Sequence, residues 1–117
     1  MESKKLVYVA GALNAPTCIG YIHNLHRMLV WAKDVRDAGF AVFTPGNDFL
    51  EGLVDGHYEY EDFFDNSQVI LARCDAVFVV PRSDNSKGTQ REIIYAKMLC
   101  IPVFDSLSDL KYYFDNQ

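Results

Sequence analysis

Four short runs of apolar, strand-forming residues punctuate the chain: LVYVA at 6–10, FAVFT at 40–44, DAVFVV at 75–80 and IPVF at 101–104. Each is continuously apolar instead of alternating, which suits strands covered on both faces and not strands with one wet side. Helical spacing fills the gaps between them. Ile22, Leu25, Met28, Leu29, Ala32, Val35 and Ala38 recur every three or four residues, and Gly39 stands where a helix-terminating glycine belongs. A second helix is expected over 58–73 on Tyr60, Phe63, Phe64, Ile70 and Leu71, with Ser67 interrupting its inward stripe. A third is expected over 87–99. A last one opens with Ser106 and Asp109 as a capping box beneath Leu107, Leu110 and Phe114.

Strands that alternate with helices pair in parallel through right-handed crossovers. The expected fold class is therefore α/β: a doubly wound, flavodoxin- or Rossmann-like parallel sheet of four to five strands with helices on both faces. With 117 residues the chain reads as one domain over 1–117, and a domain of this size buries roughly 65% of its unfolded surface without a disulfide or metal staple. In such sheets ligands bind beyond the carboxyl ends of the strands, where the strand order reverses. Three loops are expected at that edge, at 11–21, at 45–57 and at 82–88. The second contains Pro45-Gly46 and the polar residues Asn47, Asp48, Glu51 and Asp55.

Charge narrows the partners. Eleven Lys and Arg stand against 16 Asp and Glu, a net charge of −5. A scattered basic minority offers no cationic stripe for a nucleic acid polymer or an anionic membrane, so a small molecule is the expected ligand. Cys18, Cys74 and Cys100 are odd in number and far apart, with no metal-type or redox-type spacing, which fits a reducing cytoplasm. No apolar run approaches the roughly 20 residues of a membrane span. The expected location is cytoplasmic.

The chemistry concentrates after the third strand, in Asp84-Asn85-Ser86-Lys87-Gly88-Thr89-Gln90-Arg91-Glu92. Ser86 at a helix N-cap presents a hydroxyl and nearby amides to an anion, Gly88 permits close approach, and Lys87 or Arg91 adds charge. Position alone describes a capped helix before it describes a ligand site. Glu92 lies within two turns of the helix start, and a carboxylate there is a competent nucleophile at an acetal-like carbon. A glutamate in early helical turns is equally explained by propensity and the helix dipole. His23 and His26, three apart, lack a third metal ligand. Tyr58, Tyr60, Phe63 and Phe64 read as core before they read as a base-stacking platform. Asp75 reads as the opening of its strand.

Taken in order, VYVAGALNAP, AGFAVFTPGND and CDAVFVVPRSDNSKGTQREIIYAKMLCIPVF resemble the nucleoside 2-deoxyribosyltransferase-like superfamily, and most closely its small bacterial and phage members. The resemblance covers most of the chain. It implies that an N-glycosidic bond between sugar and base is broken by a glutamate attacking C1′, with Glu92 as the catalytic nucleophile and no cofactor or metal. The implied substrate-binding residues are Ser86, Gly88 and Thr89 at the 5′ end, Gly11, Asn14 and Asp48 near the base, and Asp65. The implied partners are a small nucleotide or nucleoside and further copies of the chain, in a homodimer or higher homo-oligomer.

Six residues before the glutamate, the superfamily's transferases typically carry an aspartate that grips the sugar 5′-hydroxyl. Its deoxynucleoside monophosphate hydrolases typically carry a serine there, as Ser86 stands here. A hydroxyl at a helix N-terminus suits a phosphate that a carboxylate would repel. Two departures stand beside this. Ser67 occupies the position, eight residues before Asp75, where an aspartate is common, so that either Asp65 substitutes through a shifted helix register or acid–base assistance is weakened. The first loop offers Gly11, Asn14 and Thr17 in place of the arginine and paired glycines of the monophosphate hydrolases. A non-catalytic nucleotide-binding or sensing module is the alternative reading. A phosphoribohydrolase of the cytokinin-activating type would share only Gly88, Thr89 and Glu92, without its double glycine.

Overall fold

A computed structural model describes residues 3–45 and 60–117 of the chain. Four strands, β1 (Leu6–Ala10), β2 (Ala41–Phe43), β3 (Ala76–Val79) and β4 (Val103–Phe104), form one sheet in the order β2-β1-β3-β4. All pairs are parallel, with Leu6 beside Ala41, Val7 beside Ala76 and Val77 beside Val103. Among the described residues the helices are α1 (Cys18–Asp37), α2 (Tyr60–Leu71), α3 (Lys87–Met98) and α4 (Leu107–Asp115). This is the expected α/β, Rossmann-like architecture. The order reverses between β1 and β3, the two central strands.

Alternation along those strands divides the core into two layers. Val7 and Val9 of β1, with Ala76, Phe78 and Val80, pack against Met28, Ala32 and Val35 of α1 and Leu110 of α4. Tyr8, Ala10 and Val77 point the other way, onto Leu71, Cys74 and Ala96 beside α2 and α3. Residues 7–10 of β1 are completely buried. Each large apolar side chain so covered contributes about 1.5–3 kcal/mol, which makes the central pair the anchor of the fold.

Helix ends follow the expected chemistry, with adjustments. Gly39 takes φ 106 and its N–H donates to the Arg36 carbonyl, 2.9 Å away, closing α1. Ser106 caps α4 by accepting the Asp109 N–H at 3.3 Å. Helix α1 begins one turn earlier than its apolar stripe, because the Thr17 hydroxyl accepts the Gly20 N–H at 3.0 Å. A Cβ on Gly20 would come within 2.8 Å of the Ala15 Cβ and 3.2 Å of that hydroxyl, so the cap needs a glycine there. Ile22 and Leu29, read as inward, are exposed. The buried line runs Met28–Ala32–Val35, and each residue step turns about 100° around the helix, carrying Leu29 off it. Ser67 does face inward, buried at 5% exposure. The last strand is shorter than IPVF because Pro102 has no N–H, although its carbonyl still accepts from Val77 at 2.9 Å. Among the described residues no helix is long and apolar enough to cross a membrane.

Candidate functional site

The carboxyl ends of β1 and β3 feed two loops that are tied to each other. Pairing continues one step past β3, where the Val80 N–H donates to the Ala10 carbonyl at 2.8 Å. Pro81 then turns the chain, and Arg82 takes φ 68, a left-handed conformation that glycine would adopt without cost. Ser83 is buried. Its Oγ accepts the Ala12 N–H of the first loop at 3.0 Å and its carbonyl accepts the Ser86 N–H at 3.1 Å. A second tie secures the first loop to α1: the Asn24 side-chain amide donates to the carbonyls of Leu13 and Asn14 at 3.1 and 3.2 Å. Arg27 donates in turn to the Asn24 Oδ1 at 3.2 Å.

Helix α3 starts at this junction. Ser86 is its N-cap, and its Oγ accepts both the Thr89 N–H at 3.2 Å and the Thr89 hydroxyl at 2.9 Å. Beside the helix head opens a cleft of about 620 Å³ lined by Ala12, Asn14, Arg82, Asn85, Ser86, Lys87, Gly88 and Arg91. Among the described residues that line it, three are cationic and none is acidic, in a chain where acids outnumber bases. The Arg91 guanidinium lies 3.7 Å above the ring centre of Phe64, which fixes one of these charges by a cation–π contact. Gly88 sits one helical turn before Glu92 on the same side of α3, so no side chain stands between the cleft and the glutamate on that line. Glu92 is half-buried, and its Oε2 accepts a hydrogen bond from the Tyr8 hydroxyl.

The expected site residues fall into three groups. Asn14, Ser86 and Gly88 line the cleft, with Glu92 adjoining it. Gly11 and Thr89 are not among the residues that line the cleft. A Cβ on Gly11 would meet the Val80 Cβ at 3.0 Å and Cγ2 at 3.2 Å, so this glycine lets the ends of β1 and β3 approach. Thr89 is buried and supports the Ser86 cap. Asp65 is exposed on α2 and is not a lining residue. Asp48 lies outside the described residues, as does the 46–57 part of the expected second loop. His23 and His26 are both exposed on α1. Among the described residues no three His, Cys, Asp or Glu side chains gather as a metal site.

Sequence reasoning passed over two participants. Tyr8 sits in the middle of a buried apolar strand, where its hydroxyl must find a partner, and that requirement was a readable signal. Arg82 follows a proline in a turn, a place where a positive φ is common at the next residue.

The fold thus defined is a Rossmann-like α/β domain with a cationic cleft at its strand-order reversal and a carboxylate held beside it. The chain belongs to the family described as domain of unknown function (DUF4406), whose model matches residues 5–105. Comparisons with curated proteins and with solved structures return no match.

Proposed function

We propose that this protein cleaves, or transfers across, the N-glycosidic bond of a nucleotide or nucleoside, with Glu92 as nucleophile. The observation that carries the reading is the Tyr8–Glu92 hydrogen bond, which holds a half-buried carboxylate in one orientation beside the cleft. The resemblance of the strand–loop–helix run ending at Glu92 to nucleoside 2-deoxyribosyltransferase-like proteins supports it.

In this reading a Glu92 oxygen attacks C1′ as the C1′–N bond breaks, and the bonding pair leaves on the base nitrogen, which takes up a proton. A glycosyl ester on Glu92 results. Water, or a second base, then attacks C1′ and restores the carboxylate. Tyr8 keeps the attacking group in line. Ser86, Gly88 and the first amides of α3 face the 5′ end of the ligand, where the helix N-terminus favours negative charge and a nucleotide over a nucleoside. Asn14 faces it from the first loop. The exposed apolar side chains Ile19, Ile22, Leu29 and Val30 of α1 support a further part of the proposal, that copies of the chain associate. Light scattering at micromolar concentration tests it, and a monomer would refute it.

The function is tested by chromatography of free base released from ribo- and deoxyribonucleosides and their 5′-monophosphates, comparing the wild type with Glu92→Gln. Release that vanishes in the variant is the expected result. Binding without release from any member would make the protein a nucleotide-binding module.

A further inference from the structure

The first loop is held beside the cleft by a side chain that helix formation does not call for. Asn24 lies in the second turn of α1, past the N-cap Thr17, where asparagine is a poor helix former and caps nothing. Its half-buried amide reaches back to the carbonyls of Leu13 and Asn14 at 3.1 and 3.2 Å. Among the described residues no backbone N–H donates to either carbonyl, so Asn24 supplies the donor that both would otherwise lack. One NH2 group carries two protons and here serves two consecutive residues, which fixes the path of the loop as well as its distance from the helix.

Arg27 completes the clamp. A guanidinium only donates, so the Asn24 Oδ1, 3.2 Å away, faces Arg27 and the NH2 faces the loop. The Arg27 Nε is buried and makes no hydrogen bond among the described residues. An unmet buried N–H disfavours folding, so the packing of α1 does not call for an arginine there, whereas the orientation of Asn24 does.

We propose that Asn24, oriented by Arg27, is a positioning residue that holds Asn14 and the first loop as a preformed wall of the cleft. Asn24 does not line the cleft, while Asn14 is exposed and does. A contact residue already in place loses less freedom when a ligand arrives, so Asn24 contributes to affinity without touching the ligand. The proposal rests on the reading of this cleft as a nucleotide site. It is independent of whether Glu92 turns the ligand over.

Calorimetric titration in the Glu92→Gln background, where nothing would be consumed, tests it together with backbone NMR relaxation. The probe is the tightest binder among the ribo- and deoxyribonucleosides and their 5′-monophosphates. Asn24→Asp keeps an acceptor for Arg27 and withdraws the protons from the loop, and Asn24→Leu does the latter without adding charge. In each variant the order parameters of residues 13–15 should fall from about 0.85 toward roughly 0.6 while those of β1 hold. The Kd should rise about tenfold. Asn14→Ala should weaken binding by a similar factor, and adding Asn24→Leu to it should weaken binding by no more than about twofold further, because the two act through one contact. An Asn24 that served the fold alone would lower the melting temperature and leave the affinity of the folded protein as it was. A loop that stays rigid in both variants, a weakening confined to Asn24→Asp, or losses that multiply in the double variant would overturn the proposal. Binding by the parent that both Asn24 variants retain would overturn the proposal and keep the nucleotide reading. No binding of any probe by the parent would overturn that reading, and the proposal with it.

Discussion

Where β1 and β3 begin, the chain closes on itself. Asp75 gives its N–H to the Leu6 carbonyl and takes the Leu6 N–H on its carboxylate, both at 2.7 Å, while the Lys5 carbonyl accepts from Ala41 at 2.9 Å. Where the same strands end, the backbone turns through Arg82 at φ 68 and three cations border an open cleft. The first end ties strand to strand. The second spends local comfort on presenting charge and a carboxylate, as strained turns at binding sites do. Substitutions at the closed end should therefore change stability alone, and substitutions at the open end should change ligand handling first.

The largest break in that contrast is expected from Glu92→Gln. Base release should fall by about 10³-fold or more, roughly 4 kcal/mol of barrier, while the urea midpoint stays close to wild type. An equal loss of stability would show that the glutamate serves the fold. Tyr8→Phe should lower turnover by about 10²-fold through misalignment of Glu92, with KM little changed. A rise in KM at constant kcat would place Tyr8 in binding instead.

Ser83→Ala sharpens the comparison because Ser83 is buried and yet belongs to the open end. Without its hydroxyl the Ala12 N–H loses its acceptor, which should cost about 1–3 kcal/mol in urea unfolding and also weaken ligand binding, since Ala12 lines the cleft. Asp75→Ala removes one hydrogen bond at an exposed site and should cost about 1 kcal/mol with ligand affinity intact. If Asp75→Ala impaired binding as much as Ser83→Ala, the two ends would not be separable in function.

The closed end was the more legible in sequence. Continuous apolar runs located the four described strands, and Gly39 marked the end of α1, because those signals act within a few residues of chain; Ser86 and Ser106, at helix starts beyond the strand ends, were legible for the same reason. The boundaries moved where local chemistry intervened: Thr17 with Gly20 extended α1 forward, and Pro102 shortened β4. Ser86, Gly88 and Asn14 were reachable from the rule that loops at a strand-order reversal meet. The Tyr8–Glu92 pair spans 84 residues, and no spacing rule selects one partner for a buried tyrosine at that distance. Thr89 looked like a ligand contact because its burial under the Ser86 cap depends on how α3 lies on the sheet. The φ of Arg82 is likewise set by the turn as a whole. Tertiary placement, not residue type, decided these positions.

The smallest effect concerns the cysteines, and it tests the closed end by its protons. Cys74, one residue before Asp75, is buried and donates to the Ile70 carbonyl at 3.3 Å. Burial, with a lesser contribution from the Asp75 charge, pushes its thiol up to about 11 from an ordinary value of 9.0. Below pH 9 folded and unfolded chains both hold this proton, so it contributes no pH dependence. Between about 9 and 11 the unfolded chain loses the proton first, and stability should fall as pH rises through that window. Urea midpoints measured across it for the wild type and Cys74→Ala isolate the effect from lysines and tyrosines that titrate nearby, and the wild type should show the steeper decline. A thiol reagent at pH 8 should label exposed Cys18, at the open end, and exposed Cys100 rapidly, leaving Cys74 to react only as the protein unfolds. Three equal rates would mean that the strand beginnings open as readily as the cleft, and the contrast between the two ends would fail.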